Sequence, residues 1–300
     1  MPELPDVTVY VEALERRAIR SRLEKLRLES PFVLRSVAPA PSELEGRLAT
    51  GVRRLGKRIV LEFEDELFAV IHLMIAGRLR WRERGSKGVG RIALAAFEFS
   101  NGVLWLTEAG SKKRASLHLV RGATQLAEHD PGGLDVMECE LADFERALRR
   151  ENHTLKRALT DPHAFSGIGN AYSDEILHAA KLSPLLWTSR ATPEEVERLF
   201  HATRETLRAW IERLRSQAGD AFPEEVTAFR PEMAVHGRFR QPCPVCGAPV
   251  QRIAHADNEF NYCARCQTGG KVLADRALSR LLKNDWPRTI EEWERLRPKR

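Results

Sequence analysis

Apolar residues at Val7, Val11, Leu14 and Ala18 recur at three- and four-residue intervals, which predicts an amphipathic helix over residues 7–23 after a short extended start. The pattern then shortens to strand-like runs at residues 24–28, 52–63, 67–73, 91–99, 103–106 and 115–120. These are rich in β-branched and aromatic side chains and are separated by polar punctuation. Such runs beside one helix predict a β-sandwich or barrel-like first domain. The turn-formers Asp130-Pro131-Gly132-Gly133 close it. Beyond them a helical period returns at residues 141–150, 153–160, 172–180 and 193–216. The loop Ser166-Gly167-Ile168-Gly169-Asn170 between two of these helices suggests a helix–turn–helix-like unit. A Pro-bearing linker at 219–242, a Cys-rich module at 243–266 and a charged tail complete the chain. In the tail the spacing of Leu273, Ala277, Leu281 and Leu282 predicts one more helix.

The composition is that of an ordinary globular chain: 300 residues, 43% hydrophobic and 30% charged. This excludes disordered, collagen-like and disulfide-dense scaffolds and leaves room for about two domains. No apolar run is long enough to span a bilayer, and the first residues, MPELPDVTVY, lack the basic-then-apolar pattern of a secretory signal. A soluble cytoplasmic protein without a membrane partner is expected. The net charge of +6 is unevenly spread. Residues 78–91 hold Arg78, Arg80, Arg82, Arg84, Lys87 and Arg91 against Glu83 alone; Arg53, Arg54, Lys57 and Arg58 form a second cluster, and Lys112, Lys113 and Arg114 a third. Cationic clusters of this kind gain counterion entropy on phosphate, so nucleic acid is the favoured partner, with solvated strand faces as the plain alternative.

Four of the five cysteines form two CxxC pairs, Cys243/Cys246 and Cys263/Cys266, with sixteen residues between them. Two such knuckles place four thiolates around one Zn²⁺ at about 2.3 Å, with rubredoxin-like iron as the other metal this set accepts. Gly247 permits the tight turn after the first knuckle, and Phe260 and Tyr262 supply strand residues before the second. With all four positions filled by sulfur, no coordination site is left open and the metal is structural. Cys139 reads as a small buried hydrophobe.

The start of the chain holds a different chemistry. Loss of Met1 ahead of Pro2 would leave a secondary amine beside the carboxylate of Glu3. An α-amine titrates near about 8, against about 10.4 for Lys, so a useful fraction is unprotonated at neutral pH and can attack an electrophilic sugar carbon. Glu3 stands ready to move protons. Together, Met1-Pro2-Glu3-Leu4-Pro5-Asp6, the loop Gly167-Ile168-Gly169-Asn170 and the four-Cys module resemble the formamidopyrimidine-DNA glycosylase / endonuclease VIII family over roughly residues 1–268. Further likenesses follow in order: Gly56-Lys57-Arg58 before a strand, His72-Leu73-Met74-Ile75-Ala76-Gly77, Thr154-Leu155-Lys156, Asn170 to Glu175, and Met233 to Arg238 leading into the cysteines.

The resemblance implies an α+β multidomain chain. Its parts are an N-terminal β-sandwich with a flanking helix at 1–130, a helix–two-turn–helix domain at 131–236, a zinc-finger β-hairpin at 237–268 and an extension at 269–300. It implies a monomeric bifunctional glycosylase/AP lyase of base excision repair acting on damaged DNA, nucleoid-associated if the source is bacterial. Pro2 would be the nucleophile, Glu3 its proton-transfer partner and Lys57 the holder of a phosphate at the lesion. His72, Met74, Ile75, Lys156, Gly169, Asn170 and Glu175 would meet the DNA, and Cys243, Cys246, Cys263 and Cys266 would bind one structural zinc.

Three departures bear on substrate. Glu108-Ala109-Gly110-Ser111-Lys112-Lys113-Arg114 replaces the family's DPRRFG-like stretch, which carries its Arg and Phe wedges. That leaves Met74-Ile75-Ala76 to fill the gap of a flipped base, in the manner of the endonuclease VIII branch, unless these residues simply continue a core strand. Asn258 stands where the finger's Arg is usual, with Asp257 and Glu259 beside it, and Asp6 stands where Glu is common. These changes keep a second reading open, a catalytically weak relative that binds damaged DNA.

Overall fold

In the computed structural model, which describes residues 1–86, 88–110, 112–224, 226, 230–255, 258–273, 287 and 289–295, the first helix starts earlier than its apolar period suggests. Helix α1 (Leu4–Ala18) begins immediately after Glu3, with Pro5 in its first turn, where a missing N–H costs nothing. The Asp6 carboxylate accepts the Glu3 backbone N–H at 3.0 Å, satisfying an end group that would otherwise be orphaned. The helix ends at Ala18 rather than near residue 23, because Arg20 adopts φ +64° and turns the chain into β1 (Leu23–Leu28).

A short α2 (Pro41–Leu44) leads to β2 (Ala49–Leu55), β3 (Arg58–Phe63) and β4 (Leu67–His72). Then come β5 (Gly77–Arg82), β6 (Ala93–Phe99), β7 (Gly102–Glu108), β8 (Ser116–Arg121) and α3 (Gly122–Ala127). Two antiparallel four-stranded sheets result, in the orders β1-β6-β7-β5 and β2-β3-β4-β8. Their inner faces bury Leu23, Phe97, Phe99, Leu104 and Leu106 from one sheet and Ile59, Leu61, Ile71, Leu117 and Leu119 from the other. Val7, Tyr10, Leu14 and Ala18 of α1 join the same cluster. This is the expected sandwich with its flanking helix.

Two strand expectations change. Residues 52–63 form a hairpin rather than one strand: Leu55 pairs with Arg58 across Gly56-Lys57, and Gly56 supplies the φ of +62° that a two-residue turn favours. Strand β5 was hidden in the basic stretch, where Leu79 is buried and alternates with Arg78 and Arg80. Several of those cations are partnered: Arg80 and Arg82 with Glu224, and Arg84 with Glu24. Arg53 of the second cluster pairs with Glu62. Part of each of these two clusters is therefore matched by acids from elsewhere in the chain; Lys87 lies outside the described residues.

Helices α4 (Leu141–Arg149), α5 (Leu155–Thr160), α6 (Asn170–Ala179) and α7 (Pro193–Ala218) follow. The Thr154 hydroxyl caps α5 by accepting the Arg157 N–H, and two turns separate α5 from α6. The rings of Phe144, Phe165 and Phe200 meet at centroid distances of 4.8 and 5.4 Å and anchor this helical core. Cys139 is buried there, as expected. The hairpin β9 (Gln251–His255) and β10 (Asn258–Tyr262) then leads into α8 (Ala264–Thr268). Ala277, Leu281 and Leu282 of the expected tail helix lie outside the described residues, as do Ala256 and Asp257 at the hairpin tip.

Contacts group Met1–Gly133 with Arg208–Ala228, and Leu134–Leu207 with Phe229–Arg300. The expected linker at 219–242 is therefore not a free connector. In its first half Phe222 packs on Tyr10 at 5.7 Å, and Glu224 holds the β5 arginines. Among the described residues no helix is long and apolar enough to cross a membrane.

Candidate active site and metal centre

In the first unit, Pro2 and Glu3 are both buried and sit directly ahead of the α1 N-terminus, whose dipole disfavours a nearby cation. The terminal amine, carried on Met1, is pushed below its ordinary pKa chiefly by burial. Glu3 opposes that shift, Arg78 adds to it, Asp6 opposes it and Lys57 adds to it again. Two carboxylates, Glu3 and Asp6, and two cations, Arg78 and Lys57, thus act electrostatically on one amine at this helix start. Arg78 is the member that sequence reasoning missed; only the alternation within β5 could have separated it from its neighbours.

Lys57 sits on the β2–β3 hairpin turn, and His72 ends β4 opposite Arg58. The His72 pKa falls to about 4, mainly through burial, with Arg58, Lys57 and His118 contributing, so the ring is neutral at physiological pH. Strand β4 stops at His72, and residues 74–76 form a turn rather than a continued core strand. Met74 has φ +52°, Ile75 is 56% exposed, and Gly77 N–H closes the turn onto Leu73 O at 2.9 Å. Glycine is required at this position because a Cβ there would lie 2.2 Å from that carbonyl. The Arg78 guanidinium braces the same turn through Ile75 O (3.2 Å) and Gly77 O (2.7 Å).

The stretch that replaces the expected Arg/Phe wedge is held shut by Glu108. Its buried carboxylate accepts the N–H groups of Arg114 (2.8 Å) and Ala115 (3.1 Å), leaving Lys112, Lys113 and Arg114 exposed. Ser111 is outside the described residues.

In the second unit Gly169 is the N-cap of α6 and Asn170 its first residue. The Asn170 side-chain amide donates to Glu259 O at 2.6 Å, and Gly167 takes φ +83° in the preceding turn. Lys156 and Glu175, both expected at DNA, are buried. Lys156 is only 7% exposed; its ammonium donates to Asn170 O (2.6 Å) and Asp174 Oδ1 (2.5 Å) and lies 5.8 Å from the centre of the Phe260 ring. Glu175, 6% exposed, accepts the N–H groups of Ala234, Val235 and His236 at 2.7–3.0 Å. Burial raises the Glu175 pKa, while these three donors favour its carboxylate. Asp174 completes the network by accepting from the His236 ring at 2.7 Å and the Asn261 N–H at 3.0 Å. These acids and this lysine hold the segment leading into the cysteines against α6. The side chain of Asn258 is outside what the structure describes.

The four cysteine sulfurs lie within 4.8 Å of one another, with Cys243–Cys266 at 3.9 Å and Cys246–Cys263 at 3.4 Å. A tetrahedron of about 2.3 Å Zn–S bonds has edges near 3.8 Å, so the set fits zinc and fills its coordination. Gly247 takes φ +73° and donates to Cys243 O, forming the knuckle. The site is a structural zinc centre.

Comparison with known proteins agrees along the chain. Residues 1–118 match the formamidopyrimidine-DNA glycosylase N-terminal domain, 133–220 the formamidopyrimidine-DNA glycosylase H2TH domain and 240–269 the zinc finger found in FPG and IleRS. An uncharacterized formamidopyrimidine-DNA glycosylase-like protein of Mycobacterium tuberculosis is 40% identical over 54% of this chain and 99% of its own length. The formamidopyrimidine-DNA glycosylase of Desulforamulus reducens is 30% identical over 89% of this chain and 99% of its own. Among solved structures, Lactococcus lactis Fpg bound to DNA containing an oxidized pyrimidine superposes with a TM-score of 0.79 at 24% identity, covering 89% of this chain and all of that one. This likeness establishes the shared fold.

Proposed function

Since this chain belongs to the formamidopyrimidine-DNA glycosylase family, we propose that it is a bifunctional DNA glycosylase/AP lyase of base excision repair, acting in the cytoplasm on damaged DNA. The observation that carries this reading is the buried Pro2-Glu3 pair at the start of α1, where Asp6, Lys57 and Arg78 act on the terminal amine. Once Met1 is removed, the Pro2 nitrogen attacks the sugar C1′ of the damaged nucleotide. The C1′–N bond to the base breaks, its electron pair leaves with the base, and Glu3 moves the proton that opens the sugar ring. The iminium then acidifies the adjacent sugar carbon, and successive eliminations release the 3′ and 5′ phosphates, nicking the strand.

Lys57 and neutral His72 would hold the backbone beside the lesion, and the N-terminus of α6, with Gly169 and Asn170, would take a second phosphate. Flipping the base costs a few kcal/mol and leaves a gap. Ile75, exposed at the tip of a turn that Arg78 braces, is the apolar group suited to fill it.

The test is incision of duplexes carrying an oxidised base or an abasic site. The expected result is nicking that disappears in Pro2→Gly and when an uncleaved N-terminal tag blocks the amine. Normal incision by either blocked form would overturn the reading. The loop from Glu108 to Arg114, which lacks the family's Arg and Phe wedges, favours the second reading, a damage-binding protein with weak chemistry. Tight binding to abasic DNA without any incision would select it.

A further inference from the structure

Helix α6 carries Asn170, Asp174 and His178 at i, i+4 and i+8, one stripe of the helix, and each reaches the segment that holds the cysteines. The first two contact Glu259 and Asn261 of β10. The third does something different: His178 Nε2 lies 3.3 Å from Cys243 Sγ, with the histidine 6% and the cysteine 2% exposed. A zinc-bound sulfur is a thiolate and can only accept, so the ring nitrogen facing it must carry the hydrogen. The ring is not a fifth ligand, because among the described residues the mutually close donor set comprises the four sulfurs and not His178.

We propose that His178 is a positioning residue of the zinc centre: its Nε2–H donates to the Cys243 thiolate, fixes that ligand's rotamer and disperses its charge, and so fastens the metal to α6. Outer partners of this kind set ligand orientation and metal retention. The bond also ties the metal to the start of α6, about 12 Å away along the helix axis, where Asn170 and the glycine turn lie.

The whole protein supplies the test through the metal, without recourse to DNA chemistry, so its outcome is independent of the proposed glycosylase activity. In cadmium-loaded protein, scalar coupling between the metal and the His178 ring N–H would register the N–H···S bond directly in the unaltered chain. Zinc transfer to a chelator should accelerate about tenfold or more in His178→Phe. It should return close to the original rate in His178→Gln, which places an N–H where Nε2 stood. Absence of coupling would overturn the proposal, and so would equal zinc release from the Phe and Gln variants, which would reduce His178 to a packing residue.

Discussion

The two units use the same kinds of side chain in opposite ways. In the first, the charged residues of the candidate site lie on turns and at a helix start: Lys57 on a hairpin, Glu3 and Asp6 at α1, Arg78 beside the 74–76 turn. In the second, Lys156, Asp174 and Glu175 lie under the segment that leads to the metal, each bonded to groups 14 to 87 residues away in sequence. A charge next to a motif can therefore face chemistry or assembly, and burial does not separate the two, since Glu3 and Asp6 are as buried as Lys156 and Glu175. The Lys156 ammonium is held by Asp174 and Asn170 O, and the Glu175 carboxylate by three backbone N–H groups.

The contrast can be broken experimentally. The largest effect belongs to the metal: chelation should unfold the hairpin and its cysteines first, because metal binding supplies apparent folding energy of about 10–16 kcal/mol in comparable fingers. Hydrogen exchange would report that loss, and unchanged protection of β9–β10 would contradict it. Next, Lys156→Ala leaves Asp174 buried with its main charge partner gone and should cost about 3–5 kcal/mol in denaturant unfolding. If Lys156 acted chiefly on DNA instead, stability would hold and only binding would fall. Lys57→Ala should do the reverse, shifting stability by less than about 1 kcal/mol while weakening DNA binding and lowering the salt slope by about one.

A smaller effect follows from His72. Its folded pKa of about 4 lies below the ordinary 6.5, so the unfolded chain binds the proton more readily. The stability this ring contributes is full above pH 6.5 and is lost as pH falls toward about 4. His72→Gln should flatten the stability profile in that window and leave its slope near neutrality unchanged; an identical acid slope in both proteins would place the responsible proton elsewhere.

Much of this was legible in the sequence where local spacing sets the outcome. Two CxxC pairs define a metal centre whatever surrounds them, and alternation of Leu and Val with polar residues exposes most strands. The MPE start was legible as chemistry but not as a helix start, because Pro5 and Asp6 are end signals that an apolar period ignores. Strand β5 was masked by its arginines, whose partner Glu224 lies more than 140 residues away. The buried partners of Lys156 and Glu175 could not be read at all, since nothing near them in sequence announces Phe260 or residues 234–236. His178 likewise acquires meaning only beside Cys243.

The central claim is covalent and has a direct assay. Borohydride reduction of the protein mixed with abasic-site DNA, followed by peptide mapping, should yield one adduct, attached at the Pro2 nitrogen of chains lacking Met1. An adduct on a lysine, or full incision by chains that retain Met1 and form no adduct, would contradict it.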